Sequence, residues 1–398
     1  MEFKDNSMES VAFKNYSLSQ LVLYFFKLGY SGFGGPIALI GYMHRDLVEQ
    51  FKWITEEEYK EGLTLAQLAP GPLAAQLAIY LGFIHYRVLG ATLCGIVFVI
   101  PSFIMVVLIG IVYKIFGGLQ WMQAVFYGVS ASVIGIVVVS SYKLTTKSVS
   151  KLNLIAIKEK WLLWLFYVAA ALITIIKQSE DILLFVVAGI IYMLVKAPPT
   201  WTKKSLTVNS ILFVGIGFWN FEWSTLGKIT WFFTKAGAFV FGSGLAIVPF
   251  LHSGVVNEYH WLSEKQFIDA VAVAMITPGP VVITVGFIGY LVAGFPGACV
   301  AALATFLPCY LFTIVPAYYI KKITKNESIK AFVDGITATV IGALVGAVII
   351  MANRSINDFS TAGIAASTIL ILVYFKKIKE PYIILVAVII GLIIKTIQ

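Results

Sequence analysis

Charge is what this sequence has least of. Only 12% of its 398 residues are Asp, Glu, Lys or Arg while 59% are hydrophobic, against about a quarter charged in an ordinary soluble domain. Most side chains therefore have no water to face, which is the composition of an integral membrane protein. The net charge of +9 comes from lysines in short clusters between apolar runs. That placement suits the positive-inside rule and argues against nucleic acid as a partner. Cysteine is also scarce. Cys94, Cys299 and Cys309 all fall in apolar runs, without CxxC or His/Cys ligand spacing, so neither a disulfide framework nor a metal site is indicated. There is no GxxxxGK[ST] and no GxGxxG, so no nucleotide and no cofactor is expected. Residues 1–16 lack the basic start, apolar centre and cleavage site of a signal peptide and read as a segment at the membrane surface.

What is present is a duplication. At an offset of 208, Phe25–Pro72 aligns with Phe233–Pro280 without a gap, and 14 of the 48 pairs are identical. The identities include Lys27/Lys235, Gly29/Gly237, Phe33/Phe241, Gly34/Gly242, His44/His252, Trp53/Trp261, Glu56/Glu264 and the Pro-Gly-Pro triplets 70–72 and 278–280. At offset 207 the match continues through Gly82/Gly289, Gly90/Gly297, Pro101/Pro308 and GVSASVIG/GITATVIG at 128–135 and 335–342. The chain divides into a surface segment 1–16, a first repeat 17–200, a linker or marginal span 201–224, and a second repeat 225–398.

Each repeat reads as a broken apolar segment (17–43; 225–251), a polar connector, a Pro-Gly-Pro segment, a long Pro-containing span and three further apolar runs. The basic loops, 143–160 and 196–204 in the first repeat but 321–330 and 376–380 in the second, are out of phase by one crossing. Positive loops stay cytoplasmic, so the repeats are expected in inverted topology. The fold class is an all-α polytopic membrane protein. Thirteen spans result if the linker crosses and the Pro-Gly-Pro segments cross fully, ten if those segments are re-entrant and the linker does not cross.

Both connectors carry a helix start. Thr55-Glu56-Glu57-Glu58 and Ser263-Glu264-Lys265-Gln266 are capping boxes, flanked by Ile54/Tyr59 and Leu262/Phe267 as hydrophobic staples. The helices must stop and restart at Pro70-Gly71-Pro72 and Pro278-Gly279-Pro280, because proline removes amide donors. A restart at membrane depth presents a helix N-terminus suited to anions. In FGGP (33–36) and FGSG (241–244) clustered glycines let backbone approach a ligand or form an anion nest, or else simply permit close helix packing. Lys27 lies ten residues into its segment, about 15 Å by helical rise and near the middle of a ~30 Å core. A charge there is expensive, and Lys235 repeats it. His44 and His252 end the broken segments, and Glu61 and Asp269 keep an acid on both connector helices; these four are the candidates for proton coupling. Gln67, Gln76, Thr277 and Thr284 flank the triplets as uncharged donors.

The duplicated FGG/FGSG, the W-[I/L]-[T/S]-E connectors and the Pro-Gly-Pro triplets together resemble the chromate ion transporter family in its long, two-domain form, across essentially the whole chain. The resemblance implies a bacterial inner-membrane protein that exports chromate, with sulfate as the natural look-alike, energised by an ion gradient rather than ATP. It also implies substrate-binding roles for Lys27, Gly34, Gly35, Pro70, Gly71 and Pro72, and for Lys235, Gly242, Ser243, Pro278, Gly279 and Pro280 in the second repeat, beside Thr277. Gly35 becomes Ser243 and Pro36 becomes Gly244, so the two halves need not contribute equally. The expected partners are a small inorganic oxyanion and the lipid bilayer, with a homodimer allowed. The alternative is an uncoupled anion channel; a membrane enzyme or lipid-binding scaffold is a third reading, which no nucleophile–base pair supports.

Overall fold

The computed structural model describes residues 16–33, 35–117, 119–150, 154–178, 182–199, 224–240, 244–320, 326–375, 378 and 380–397. The expected surface segment before Tyr16 and the linker at 201–223 lie outside them. Among the described residues every regular element is helical. The first repeat contains α1 (Leu18–Ser31), α2 (Gly35–Met43), α3 (Glu56–Leu68), α4 (Leu73–Phe116), α5 (Gln120–Ser148), α6 (Leu154–Glu159), α7 (Trp161–Lys177) and α8 (Ile182–Lys196). The second contains α9 (Thr225–Ala238), α10 (Val248–His252), α11 (Glu264–Ile276), α12 (Thr284–Ala317), α13 (Glu327–Ser355), α14 (Phe359–Tyr374) and α15 (Glu380–Ile397). Among the described residues, four stretches are long and apolar enough to cross a membrane: Leu73–Phe116, Gln120–Ser148, Val281–Ala317 and Glu327–Ser355.

Both capping boxes form. Thr55 Oγ1 accepts from the Glu58 amide at 3.2 Å while Glu58 accepts from the Thr55 amide at 2.9 Å, and Ser263 and Gln266 repeat the exchange at 3.3 and 2.9 Å. The duplication reaches into unusual backbone. A π-helical turn follows each broken segment, at His44–Gln50 and Ser253–Glu258. Lys52 and its counterpart His260 both have positive φ, 53° and 50°.

The first broken segment is two helices rather than one. α1 runs in and α2 runs back beside it: the Tyr24 hydroxyl donates to Asp46 at 3.3 Å, and a Cβ on Gly32 would meet Leu39. α3 likewise folds back along the first arm of α4, joined by Glu58–His85 at 3.0 Å and Tyr80–Glu61 at 3.4 Å. The Pro-Gly-Pro segment and the Pro-containing span then form one helix bent where φ turns positive, at Arg87 (54°) in α4 and at Gly294 (65°) in α12. The second arms of α4 and α12 are antiparallel, since Thr92 meets Tyr310 and Phe103 meets Phe295.

Packing interlocks the repeats. A Cβ on Gly128 of α5 would lie 2.0 Å from the carbonyl of Ala387 in α15, and one on Gly135 would lie 2.8 Å from that of Ala365 in α14. The counterparts Gly335 and Gly342 of α13 press against Ala188 of α8 (2.9 Å) and Tyr167 of α7 (2.1 Å). Each repeat thus lends its last two long helices to the other, and the GVSASVIG/GITATVIG glycines are the contact. Small residues allow such backbone approach where lipid supplies no hydrophobic drive.

Candidate functional site

The tips of the two hairpins in each repeat converge at the centre. The Gly71 amide donates to the Val240 carbonyl at 2.6 Å, and the Gly279 amide donates to the Gly32 carbonyl at 3.0 Å. Val240 is the offset-208 counterpart of Gly32, so each Pro-Gly-Pro turn is tied to the break in the other repeat by the same bond. Gly71 has φ 146° and Gly279 φ 94°, backbone that side chains rarely adopt. Beneath the Gly279 turn, Ser102 Oγ donates to the Pro278 carbonyl at 2.6 Å. Its counterpart Cys309 sits under Gly71, its sulfur 2.9 Å from where a Cβ would be. Gln76, fully buried after the first triplet, donates to the Pro70 carbonyl at 2.9 Å, and its Oε1 has no protein partner.

A cavity of about 770 Å³ ends on these tips. Its floor includes Gly32, Gly35, Pro36 and Ala38, Leu73, and Thr277, Gly279 and Val281. These are the starts of α2, α4 and the turn leading into α12, where first-turn amides have no intrahelical acceptor and the helix dipole favours negative charge. The triplet glycine amides are occupied by the tip-to-tip bonds, so the free donors are those of the restarting helices rather than of the glycines. Higher on the wall stand Lys143 and Lys147 from the end of α5, Lys160, and Lys330 from the start of α13, with Asp334 and Glu380 as the acids. Cations exceed carboxylates, so the cavity attracts anions toward its floor.

Of the residues singled out by sequence, Gly35, Gln67, Thr277 and Gly279 line this cavity, and Pro70, Gly71, Pro72, Pro278 and Pro280 shape its tips. Gly34, Gly242 and Ser243 lie outside the described residues. Lys27 is exposed on the outer face of α1; Lys235 is half-buried, its Nζ 5.4 Å from the Trp231 ring. Neither lysine lines the cavity. His44 and His252 each bond the equivalent glutamate at 2.8 Å, Glu56 and Glu264, pinning the end of a broken segment to the start of a connector helix. Glu264 also accepts from Arg354 at 2.7 Å. Although burial opposes its charge, the hydrogen bonds from His252 and Arg354 hold its carboxyl below the ordinary range. Asp269 is buried and bonded by the hydroxyls of Tyr113 (2.7 Å) and Ser130 (3.1 Å), whereas Glu61 is half-buried and accepts from Tyr80 at 3.4 Å. Asp269 borders a second cavity of about 660 Å³, with Lys114, Lys265 and Trp261.

Sequence reasoning passed over the four cavity lysines as a binding feature, using their loops only to orient the chain. Ser102 was missed as well, although its pairing with Cys309 at offset 207 was available as a signal.

Long apolar helices, interlocked repeats and a cationic cavity ending on broken helices define a polytopic membrane transporter. The chromate transporter family model matches residues 19–194 and again 227–392, so the chain belongs to that family. It is 60% identical over 382 residues to the chromate transport protein of Cupriavidus metallidurans, covering 95% of this chain and 93% of the relative. It is 55% identical over 386 residues to the probable chromate transport protein of Synechococcus elongatus, covering 95% and 96%. An uncharacterized transporter of Methanocaldococcus jannaschii is 28% identical over 396 residues, covering 96% and 95%. No solved structure matches the chain. Bacterial relatives and the apolar helices fit a multi-pass protein of the inner membrane.

Proposed function

We propose that this chain is a secondary transporter that exports chromate, or sulfate or a related oxyanion, by alternating access driven by an ion gradient. The observation that carries the reading is the lysine-lined cavity ending on the reciprocal tips. An oxyanion enters past Lys143, Lys147, Lys160 and Lys330 and is held at the floor by first-turn amides near Gly35 and Leu73 and by Thr277. Gly71 and Gly279 keep the two half-sites in register, with the flanking prolines at 70, 72, 278 and 280 freeing the backbone. Lys27 and Lys235 contribute as long-range charge from outside the floor, and Gly34, Gly242 and Ser243 are the remaining substrate-binding candidates.

The repeats, 17–200 and 225–398, are read as inverted. The antiparallel second arms of α4 and α12 support this, as does the meeting of the end of α5 with the start of α13 in one lysine cavity, which is the cytoplasmic one by the positive-inside rule. Each hairpin then enters and leaves on one face, in keeping with re-entrant Pro-Gly-Pro segments. Asp269 and Glu61 are the first coupling-ion candidates, with the half-buried His44 and the buried His252 as the others.

Flux into proteoliposomes, with chromate, sulfate and phosphate offered in turn with and without a pH gradient, tests this reading. Chromate flux that rises with the gradient is expected. Gradient-independent electrical current would make the protein a channel, and absence of flux for every oxyanion would remove the transport reading.

A further inference from the structure

Two acid–hydroxyl pairs occupy equivalent places in the repeats, and only one is closed. Asp269 of α11 reaches across to the other repeat, where Ser130 Oγ of α5 donates to it at 3.1 Å. The counterpart of Asp269 is Glu61 at offset 208, and that of Ser130 is Thr337 at offset 207, so the duplication preserves both an acid and a hydroxyl. The Glu61–Thr337 bond is not made: Glu61 has Tyr80 at 3.4 Å, and Thr337 lines the lysine cavity. Thr64, one turn beyond Glu61 on α3, lines the same cavity, whereas Ala272, one turn beyond Asp269, is fully buried. Where the pair is made the helices are closed over the tips; where it is open a cavity reaches them.

We propose that Asp269–Ser130 and Glu61–Thr337 are alternating latches: closing the lysine cavity forms the Glu61–Thr337 contact, and opening the opposite face breaks Asp269–Ser130. The inference rests on the alternating-access reading and specifies which residues exchange partners in it. The latches are unequal. Asp269 has a second donor in Tyr113 at 2.7 Å, but the counterpart of Tyr113 is Ile320, which carries no hydroxyl. The state open at the lysine cavity is therefore the resting one, and the outward-open state is a minor population whose size depends on both hydroxyls.

A cysteine at Ala272, the mirror of cavity-lining Thr64, reports that minor state. In full-length protein with Cys94, Cys299 and Cys309 replaced, Ala272→Cys is labelled with a hydrophilic maleimide, kept dilute so that the rate follows the exposed fraction. Ser130→Ala weakens the closed latch and should raise the rate about threefold or more, the factor of one ordinary side-chain hydrogen bond. Thr337→Val weakens the latch of the other state and should lower the rate by a similar factor. A cysteine at Thr64 should label readily in all three proteins. Local loosening around Ser130 would also raise the first rate, so the Thr337→Val result decides: a rate unchanged or raised overturns the proposal. Chromate flux by the Ala272→Cys protein in vesicles separates the two readings. Flux with no opposite shifts in labelling defeats the latch alone; opposite shifts without oxyanion flux leave the latch and defeat the transport reading.

Discussion

The two repeats share a backbone more closely than they share side chains. Helix bends, π turns, positive-φ residues and Pro-Gly-Pro turns recur at matching positions, yet the groups placed on that frame differ. His252 is 3% exposed where His44 is 32% exposed, and Glu264 gains Arg354 where Glu56 has Lys60. Ser102 stands opposite Cys309, and Tyr113 opposite Ile320. The duplicated features are those the interlocked architecture requires, while the divergent ones make the two halves unequal. On the proposed alternating-access reading, unequal contacts on a pseudosymmetric frame favour one state over the other.

The sharpest break of the symmetry is at the tips. Gly279→Ala places a methyl 2.0 Å from Ser102 Oγ at φ 94°, and Gly71→Ala places one 2.7 Å from the Gln76 amide at φ 146°. Strain of about 1–3 kcal/mol at each turn corresponds to roughly tenfold or greater loss of transport per folded molecule, larger for Gly279. Vesicle flux normalised to folded protein measures it; equal activity of both variants would contradict the tip geometry.

The interlocked helices come next. Gly128→Ala and Gly342→Ala push a methyl to 2.0 and 2.1 Å from partner carbonyls in α15 and α7. Each should cost about 1–3 kcal/mol and lower the melting temperature in detergent, while Gly135→Ala, at 2.8 Å, costs less. Matching losses from Gly128 and Gly342 would sharpen the reciprocity of the exchange. At the cavity, Lys147→Gln should weaken transport about two- to fivefold, chiefly through KM and with a reduced dependence on ionic strength. A kcat effect alone would remove that lysine from substrate attraction.

The smallest effect concerns the first connector. Burial opposes ionisation of Glu58, but hydrogen bonds from His85 and Thr55 bring its carboxyl down to about 2 from an ordinary 4.5. A depressed carboxylate contributes stability that is fully present above 4.5 and lost as pH falls toward 2. Glu58→Gln should therefore melt lower than the parent at pH 6, the gap narrowing toward pH 3. The capping box survives, since Gln266 already fills that place in the second repeat.

Much of this was legible beforehand. The duplication, both capping boxes and the breaks at the triplets follow from local rules that burial does not override. Tertiary placement was less accessible. Lys27 and Lys235 look buried when depth is counted along one helix, but helical rise says nothing about which face a residue takes. The hairpin of α1 and α2 was hidden because two antiparallel limbs and one broken span have the same hydropathy. The lysine cavity combines Lys143, Lys147, Lys160 and Lys330, far apart in sequence, and only the antiparallel approach of α5 and α13 assembles it.

The central claim is that equivalent elements enter the membrane from opposite faces and meet tip to tip. Single cysteines at Lys158, exposed after α5, and at Phe359, 99% exposed after α13, test it most directly in a background lacking the three native cysteines. In sealed vesicles of known orientation, a membrane-impermeant thiol reagent should label Lys158→Cys from the cytoplasmic side only and Phe359→Cys from the opposite side only. Labelling of both from one side would contradict the inverted arrangement and the meeting of the tips that depends on it.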